Sequence, residues 1–186
     1  KDVKCIVVPP PQMVANMRMG NMDGFCVGEP WNARAIADGV GITAATSQDV
    51  WKDHPEKVLG TTAEFAQKYP NTARAVTAAI LEASRWIDES AANKTRMAQT
   101  IAAKSYVNTS VNTIAPRILG RYDNGLGKTW DDPNHMKFYD GGAVNFPYLS
   151  DGMWFLTQHK RWGLLKDHPD YAGVARAINR IDLYKE

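Results

Sequence analysis

Long apolar runs are missing from this chain of 186 residues. Nowhere do about 18 apolar residues follow one another, so the sequence predicts no membrane-spanning segment. No charged-then-apolar leader opens the chain, and any such leader is expected upstream. An excess of one charge is missing too. The 22 basic and 20 acidic residues are interspersed and leave a net charge of +2, so no run marks a nucleic-acid groove or a membrane-facing stripe. Cysteine is scarce: Cys5 and Cys26 both fall in apolar runs read as strands, where they are expected to behave as small, at least half-buried hydrophobes. No Cys or His pair has the spacing that zinc needs; His135, His159 and His168 lack partners at metal or triad spacing. No Gly-rich phosphate loop, GxSxG elbow or HExxH helix appears, so nothing assembles a nucleophile, a base and oxyanion donors. The sequence therefore reads as a non-enzyme that needs no cofactor and no metal.

What is present is an ordinary globular balance, 44% hydrophobic and 23% charged. The most informative stretch is 9–31, PPPQMVANMRMGNMDGFCVGEPW. An apolar run at 4–8 leads into three prolines, and Gln12 stands where the next helix begins. Gly20 and Asn21 stop that helix; 25–27 is a short, wholly apolar run, as expected of a strand covered on both faces, and Gly28-Glu29-Pro30-Trp31 opens a second helix. Further strands are predicted at 41–45 and 57–61, and the alternation predicts an α/β fold with a parallel-rich sheet and flanking helices. Helices that start directly after strands expose unpaired N–H groups, which suits the crevice above such a sheet to a small anion.

Beyond residue 61 the pattern turns helical. Ala73, Val76, Ile80, Ala83 and Ile87 recur at spacings of three and four, predicting a helix over 71–89 with that face inward. Further helices are predicted at 93–103, 112–119 ending at Gly120, 147–159 and 170–178. Between them, 120–146 is an irregular Gly- and Asp-rich segment, too long for an idle connector.

Three side chains stand out, each with two readings. Gln12 offers a carboxamide donor to an oxyanion, or simply caps its helix. His54, extended because Pro55 follows, is a loop donor or an ordinary exposed histidine. Lys128, in the loop Asp123-Asn124-Gly125-Leu126-Gly127-Lys128, is a solvated lysine or the charge that neutralises a bound anion. Asp123 and Asn124 are expected to form the turn. Glu29 is expected to serve only the helix dipole, and Trp130, Trp154 and Trp162 to pack the helical part and cap its surface.

The 9–31 stretch, TSQDVWKDHPEKVLG, GRYDNGLGK and FPYLSDGMWFLTQHKRWG together resemble the nitrate- and bicarbonate-binding proteins of ABC importers, within the periplasmic solute-binding proteins. The resemblance implies a type II periplasmic-binding-protein-like fold present as its C-terminal portion. On it, 1–56 is part of the second α/β lobe, and 57–186 crosses back to the first lobe with a helical region and the 120–146 loop. It implies capture of nitrate or nitrite without chemistry, in the periplasm or anchored on the outer face of the inner membrane, for ABC permease subunits. It also implies that Gln12, His54 and Lys128 touch the ligand. The nitrate binders carry lysine where the bicarbonate binder carries a calcium-assisting glutamate, so Lys128 argues for the bare anion over bicarbonate. The alternative is a cytoplasmic nitrate or nitrite sensor of the same fold that regulates an RNA-binding antiterminator. An enzyme of this fold, related to the pyrimidine-precursor synthases, needs a cysteine-rich segment that two separated cysteines do not supply.

Overall fold

The computed structural model describes residues 2–186. In order, the elements are a 3-10 turn (Pro10–Gln12), α1 (Met13–Arg18), α2 (Trp31–Ala37), α3 (Ser47–Val50), α4 (Ala63–Lys68), α5 (Pro70–Asp88) and α6 (Ala91–Ile101). There follow α7 (Val111–Ile118), β1 (Arg121–Asp123), β2 (Thr129–Asp131), a second 3-10 turn (Asp140–Gly142), α8 (Leu149–Arg161), α9 (Tyr171–Ile178) and α10 (Ile181–Lys185). Side-chain caps set several starts: Ser90 accepts from Asn93 N–H at 3.0 Å, Thr62 from Phe65 N–H at 3.1 Å and Asp170 from Gly173 N–H at 2.9 Å. The chain divides into two compact units, Lys1–His54 with Ser90–Met136, and Pro55–Glu89 with Lys137–Glu186.

In the first unit α7 packs against both α6 and α2, and α1 packs on α2. Its buried apolar groups are Val14, Ala35, Ala98, Ile114 and Ile118. The 114, 118 spacing gives α7 one inward stripe, and Arg117 shares it. In the second unit α5 packs on α4 and α10, and α8 on α9. Gly152 lies where those last two helices meet, since a Cβ there would sit 3.2 Å from Asn179 Nδ2 and 3.4 Å from the Cβ of the fully buried Ala175. Asp88 Oδ2 accepts the N–H groups of Phe138 and Tyr139 at 2.8 and 2.7 Å and so pins the second 3-10 turn to α5.

The predicted helices are all present, within a few residues at either end. Four other expectations need correction. The runs 4–8, 24–27, 41–45 and 57–61 form no ladder, and the sheet among the described residues is the antiparallel pair β1–β2, with Tyr122 opposite Trp130. A parallel strand obtains its hydrogen bonds only from neighbours distant in sequence, and among the described residues no segment forms a ladder with these runs, the one long-range backbone bond being Thr43 N–H to Asn124 O at 3.0 Å. Ile6, Val7, Val58 and Leu59 consequently stand exposed. Cys5 and Cys26 lie on those unpaired runs, so both are exposed free thiols rather than buried hydrophobes. On α5 the covered stripe runs through Ala73, Thr77, Leu81 and Ser84, and Val76 and Ile80 are left about 40% exposed beside it. Finally, α1 and α2 span 6 and 7 residues, too short for a summed dipole to make either N-terminus an anion site by itself.

Candidate functional site

Gln12, His54 and Lys128 all belong to the first unit. Gln12 ends the first 3-10 turn and is the N-cap of α1. Its side chain makes no capping hydrogen bond, while its carbonyl accepts from Asn16 Nδ2 at 2.9 Å. The exposed carboxamide is thus not spent on the cap, and the capping reading of this residue fails.

His54 is half-buried and follows α3 by four residues, its ring 6.5 Å from that of Trp51. The helix start is fixed by a reciprocal capping box: Thr46 Oγ1 accepts from Asp49 N–H, and Asp49 Oδ2 accepts from Thr46 N–H at 2.8 Å. Between α3 and His54 the backbone turns at Asp53, whose φ of 56° lies in the left-handed region that aspartate tolerates better than most non-glycine residues.

Lys128 closes the hairpin between β1 and β2, and Asn124 organises that loop. Its Oδ1 accepts from Leu126 N–H at 2.8 Å and Lys128 N–H at 3.1 Å, while its own N–H donates to Lys128 O at 3.0 Å. Asp123 Oδ1 accepts from Gly125 N–H at 2.7 Å. These are the turn-forming roles expected of the two residues. The loop is also fastened from outside, because Thr43 donates through N–H to Asn124 O at 3.0 Å and through Oγ1 to Asp123 O at 3.3 Å. Gly125, at φ 76°, passes so near Gly41 that a Cβ would lie 3.0 Å from Gly41 O, so only glycine fits. The Lys128 ammonium lies 5.7 Å from the Trp130 ring centroid, in cation–π range.

The structure brings the Lys128 loop to the start of α3. Thr46 N–H and the Thr46 hydroxyl hold the Asp49 carboxyl below the usual carboxylate range, and the Lys128 charge adds to that lowering. The geometric tie of the loop to this region is Thr43, which bonds Asn124 and Asp123 and lies three residues before the Thr46 cap of α3. Gln12 stands on a different support, α1 against α2. A cleft of about 630 Å³ beside α2, α7 and the hairpin is lined by Ile36, Pro116, Arg117, Tyr122 and Trp130, and includes none of the three.

Two residues escaped the sequence reading. Arg117 is buried; its guanidinium donates to Asp123 O at 3.2 Å, lies 4.6 Å from the Tyr122 ring centroid and pairs with Glu29 Oε1 at 3.5 Å. Tyr122 in turn stacks on Trp130 at 5.4 Å. Arg117 thereby props the hairpin from beneath, and Trp130 packs this hairpin rather than the helical part. Position 117 on the same stripe as Ile114 and Ile118 was the available signal. Glu29 is also more than a dipole partner. Burial pushes its carboxyl above the usual range, against the pull of the Ala33 N–H, which it accepts at 3.0 Å, and of Arg117. About a third of its side chain still reaches solvent, so the desolvation falls on the carboxyl end. The second missed residue is Gln48, whose carboxamide joins the turn before His54 to the segment after β2.

Comparison with known proteins places this geometry. The chain is 44% identical to the nitrate/nitrite binding protein NrtA of Synechococcus elongatus and 40% identical to that of a Nostoc species, in both cases across its whole length and 42% of the relative. The crystal structure of the periplasmic nitrate-binding protein NrtA from Synechocystis superposes with a TM-score of 0.94 at 38% identity, over all of this chain and 48% of that one. The chain thus spans less than half the length of the relatives it matches, and its fold is that of the corresponding part of a periplasmic binding protein. Since the model of the NMT1-like family matches residues 1–102, more than half of its length, the chain belongs to that family.

Proposed function

We propose that this chain forms part of a solute-binding protein that captures nitrate or nitrite and delivers it to an ABC importer, with Gln12, His54 and Lys128 as ligand contacts. The observation that carries the reading is the Lys128 loop. An exposed ammonium is held on a backbone fixed by Asn124 and by Thr43, which lies three residues before the Thr46 cap of α3. So small an ion offers little apolar area, and its binding comes from charge and hydrogen bonds. At ~4 Å and an effective dielectric of ~20, one ammonium attracts a monovalent anion by about 4 kcal/mol before desolvation, enough to select an anion over a neutral solute. The carboxamide of Gln12, unspent in capping, and the imidazole of His54 supply directed hydrogen bonds. No bond is made or broken.

Identity of 40–44% to nitrate/nitrite binding proteins supports the same ligand class. The remaining wall of the site belongs to the length these relatives have beyond this chain, so the 186 residues alone bind weakly. No described helix is long and apolar enough to cross a membrane, and the working place proposed is the outer face of the inner membrane, beside the permease. Calorimetry of the full-length parent with nitrate, nitrite, bicarbonate plus calcium, and sulfate tests the reading. Nitrate or nitrite binds most tightly; tighter binding of bicarbonate with calcium overturns it. His54→Ala weakens nitrate binding, and an affinity indifferent to that change at every pH from 5 to 8 returns His54 to the loop.

A further inference from the structure

The reading of His54 as a ligand contact leaves open what aims its ring. The turn that delivers it, at Asp53, is in the left-handed region, which aspartate tolerates less readily than glycine, and a neighbour helps to hold it there. Gln48 does so with both ends of its carboxamide. Its Oε1 accepts the Asp53 N–H at 2.9 Å, and its Nε2 donates to Asn134 O, 86 residues away in sequence. The Asn134 end is itself fixed: Asn134 N–H donates to Asp132 Oδ1 at 2.8 Å, and Asp132 N–H donates to Gly120 O at 2.8 Å. Gly120 follows α7, and a Cβ on it would come 2.5 Å from His135 Nδ1 and 3.1 Å from Asp132 O, so this corner has no slack. The His54 turn is therefore tied through one side chain to the base of the hairpin that presents Lys128.

From this geometry we infer that Gln48 is a positioning residue of the anion site, which holds the Asp53 turn so that His54 and the Lys128 hairpin keep a common frame. The inference rests on the ligand role proposed for His54. Gln48 touches no ligand in it; it acts by removing the freedom of the turn, which otherwise has to be ordered when the anion arrives.

The test is a double-mutant cycle in the full-length parent, with nitrate as the probe and calorimetry as the readout. Gln48→Met keeps the volume and removes both hydrogen bonds; Gln48→Ala serves as a second variant should the first misfold. Gln48→Met lowers nitrate affinity about tenfold in the native background and has no further effect once His54→Ala is present. Amide hydrogen exchange at Asp53, measured without anion, is faster in Gln48→Met than in the parent. Equal losses of affinity with and without His54 make Gln48 merely structural and overturn the inference. An unchanged Asp53 amide overturns the tie itself. If instead His54→Ala leaves nitrate affinity untouched while the Asp53 amide responds to Gln48→Met, the tie stands as geometry, but its role in the site falls together with the ligand role of His54.

Discussion

The Lys128 loop and the approach to Gln12 belong to the same compact unit, yet they are held in opposite ways. Around Lys128, Asn124 makes three hydrogen bonds inside the loop, Thr43 makes two from outside, and Arg117 supports β1 through Asp123 O. Before Gln12, residues 4–8 join no ladder among the described residues, and Val7 is fully exposed. An antiparallel hairpin closes on partners within ten residues and an Asx turn needs even fewer, so such a site is built wherever its own short segment is present. A strand of a parallel sheet takes every ladder bond from segments far along the chain. The positive half of the proposed site is thus self-supporting in these 186 residues, and the carboxamide half is not.

The largest expected effect tests the self-supporting half directly. Lys128→Glu in the full-length parent replaces attraction by repulsion and lowers nitrate affinity at least a hundredfold by calorimetry; an unchanged Kd removes Lys128 from the site. Arg117→Met deprives the hairpin of its prop and leaves the desolvated Glu29 carboxyl without its cation. Urea unfolding should show a loss of about 2–3 kcal/mol, below the full cost of a broken buried pair because Glu29 is partly solvated. A loss under 0.5 kcal/mol, a threshold for the roughly neutral range of surface changes, would mean that the hairpin supports itself without the arginine. Asn124→Ala frees two loop N–H groups, with an expected cost of about 1–2 kcal/mol and weaker nitrate binding. Equal binding would show that the Thr43 bonds suffice.

A smaller effect comes from Glu29. Its folded-state carboxyl titrates above 4.5, so the acid form is favoured by folding; that contribution is complete below pH 4.5 and is lost as pH rises through the raised value. Glu29→Gln should remove this downward slope of stability against pH, read as the difference between variant and parent in thermal melts from pH 4 to 7. A parallel pair of curves sinks the assignment. The smallest effect sharpens the contrast from its other side. Val7→Ser should change the stability of the 186-residue chain by less than about 0.5 kcal/mol, since the side chain has nothing to lose. In the full-length parent the same change should cost more than about 1 kcal/mol if 4–8 is there a strand covered on both faces. Equal, negligible losses in both proteins would deny that role.

The helices were legible because their signals are local. The period of three and four in α5 and the stop at Gly120 lie within a turn of what they determine. The Asx turns of Asp123 and Asn124 were readable for the same reason. The β1–β2 hairpin was hidden inside what looked like an irregular segment, since three-residue strands carry no measurable alternation. Arg117 and Gln48 were missed because their partners, Glu29 and Asn134, stand 88 and 86 residues away.

By itself, the amino-acid sequence determined the helices, the turn chemistry around Lys128, the ordinary charge balance and the family likeness, all properties of segments a few turns long. Tertiary structure alone decided which face of α5 is covered, that the apolar runs at 4–8 and 57–61 form no ladder among the described residues, and that the Lys128 hairpin is fastened to Thr43. The physical reason is range. Caps and turns are satisfied by neighbours in the chain, whereas strand ladders, buried ion pairs and a shared site require groups that only folding, or a further length of chain, can bring near.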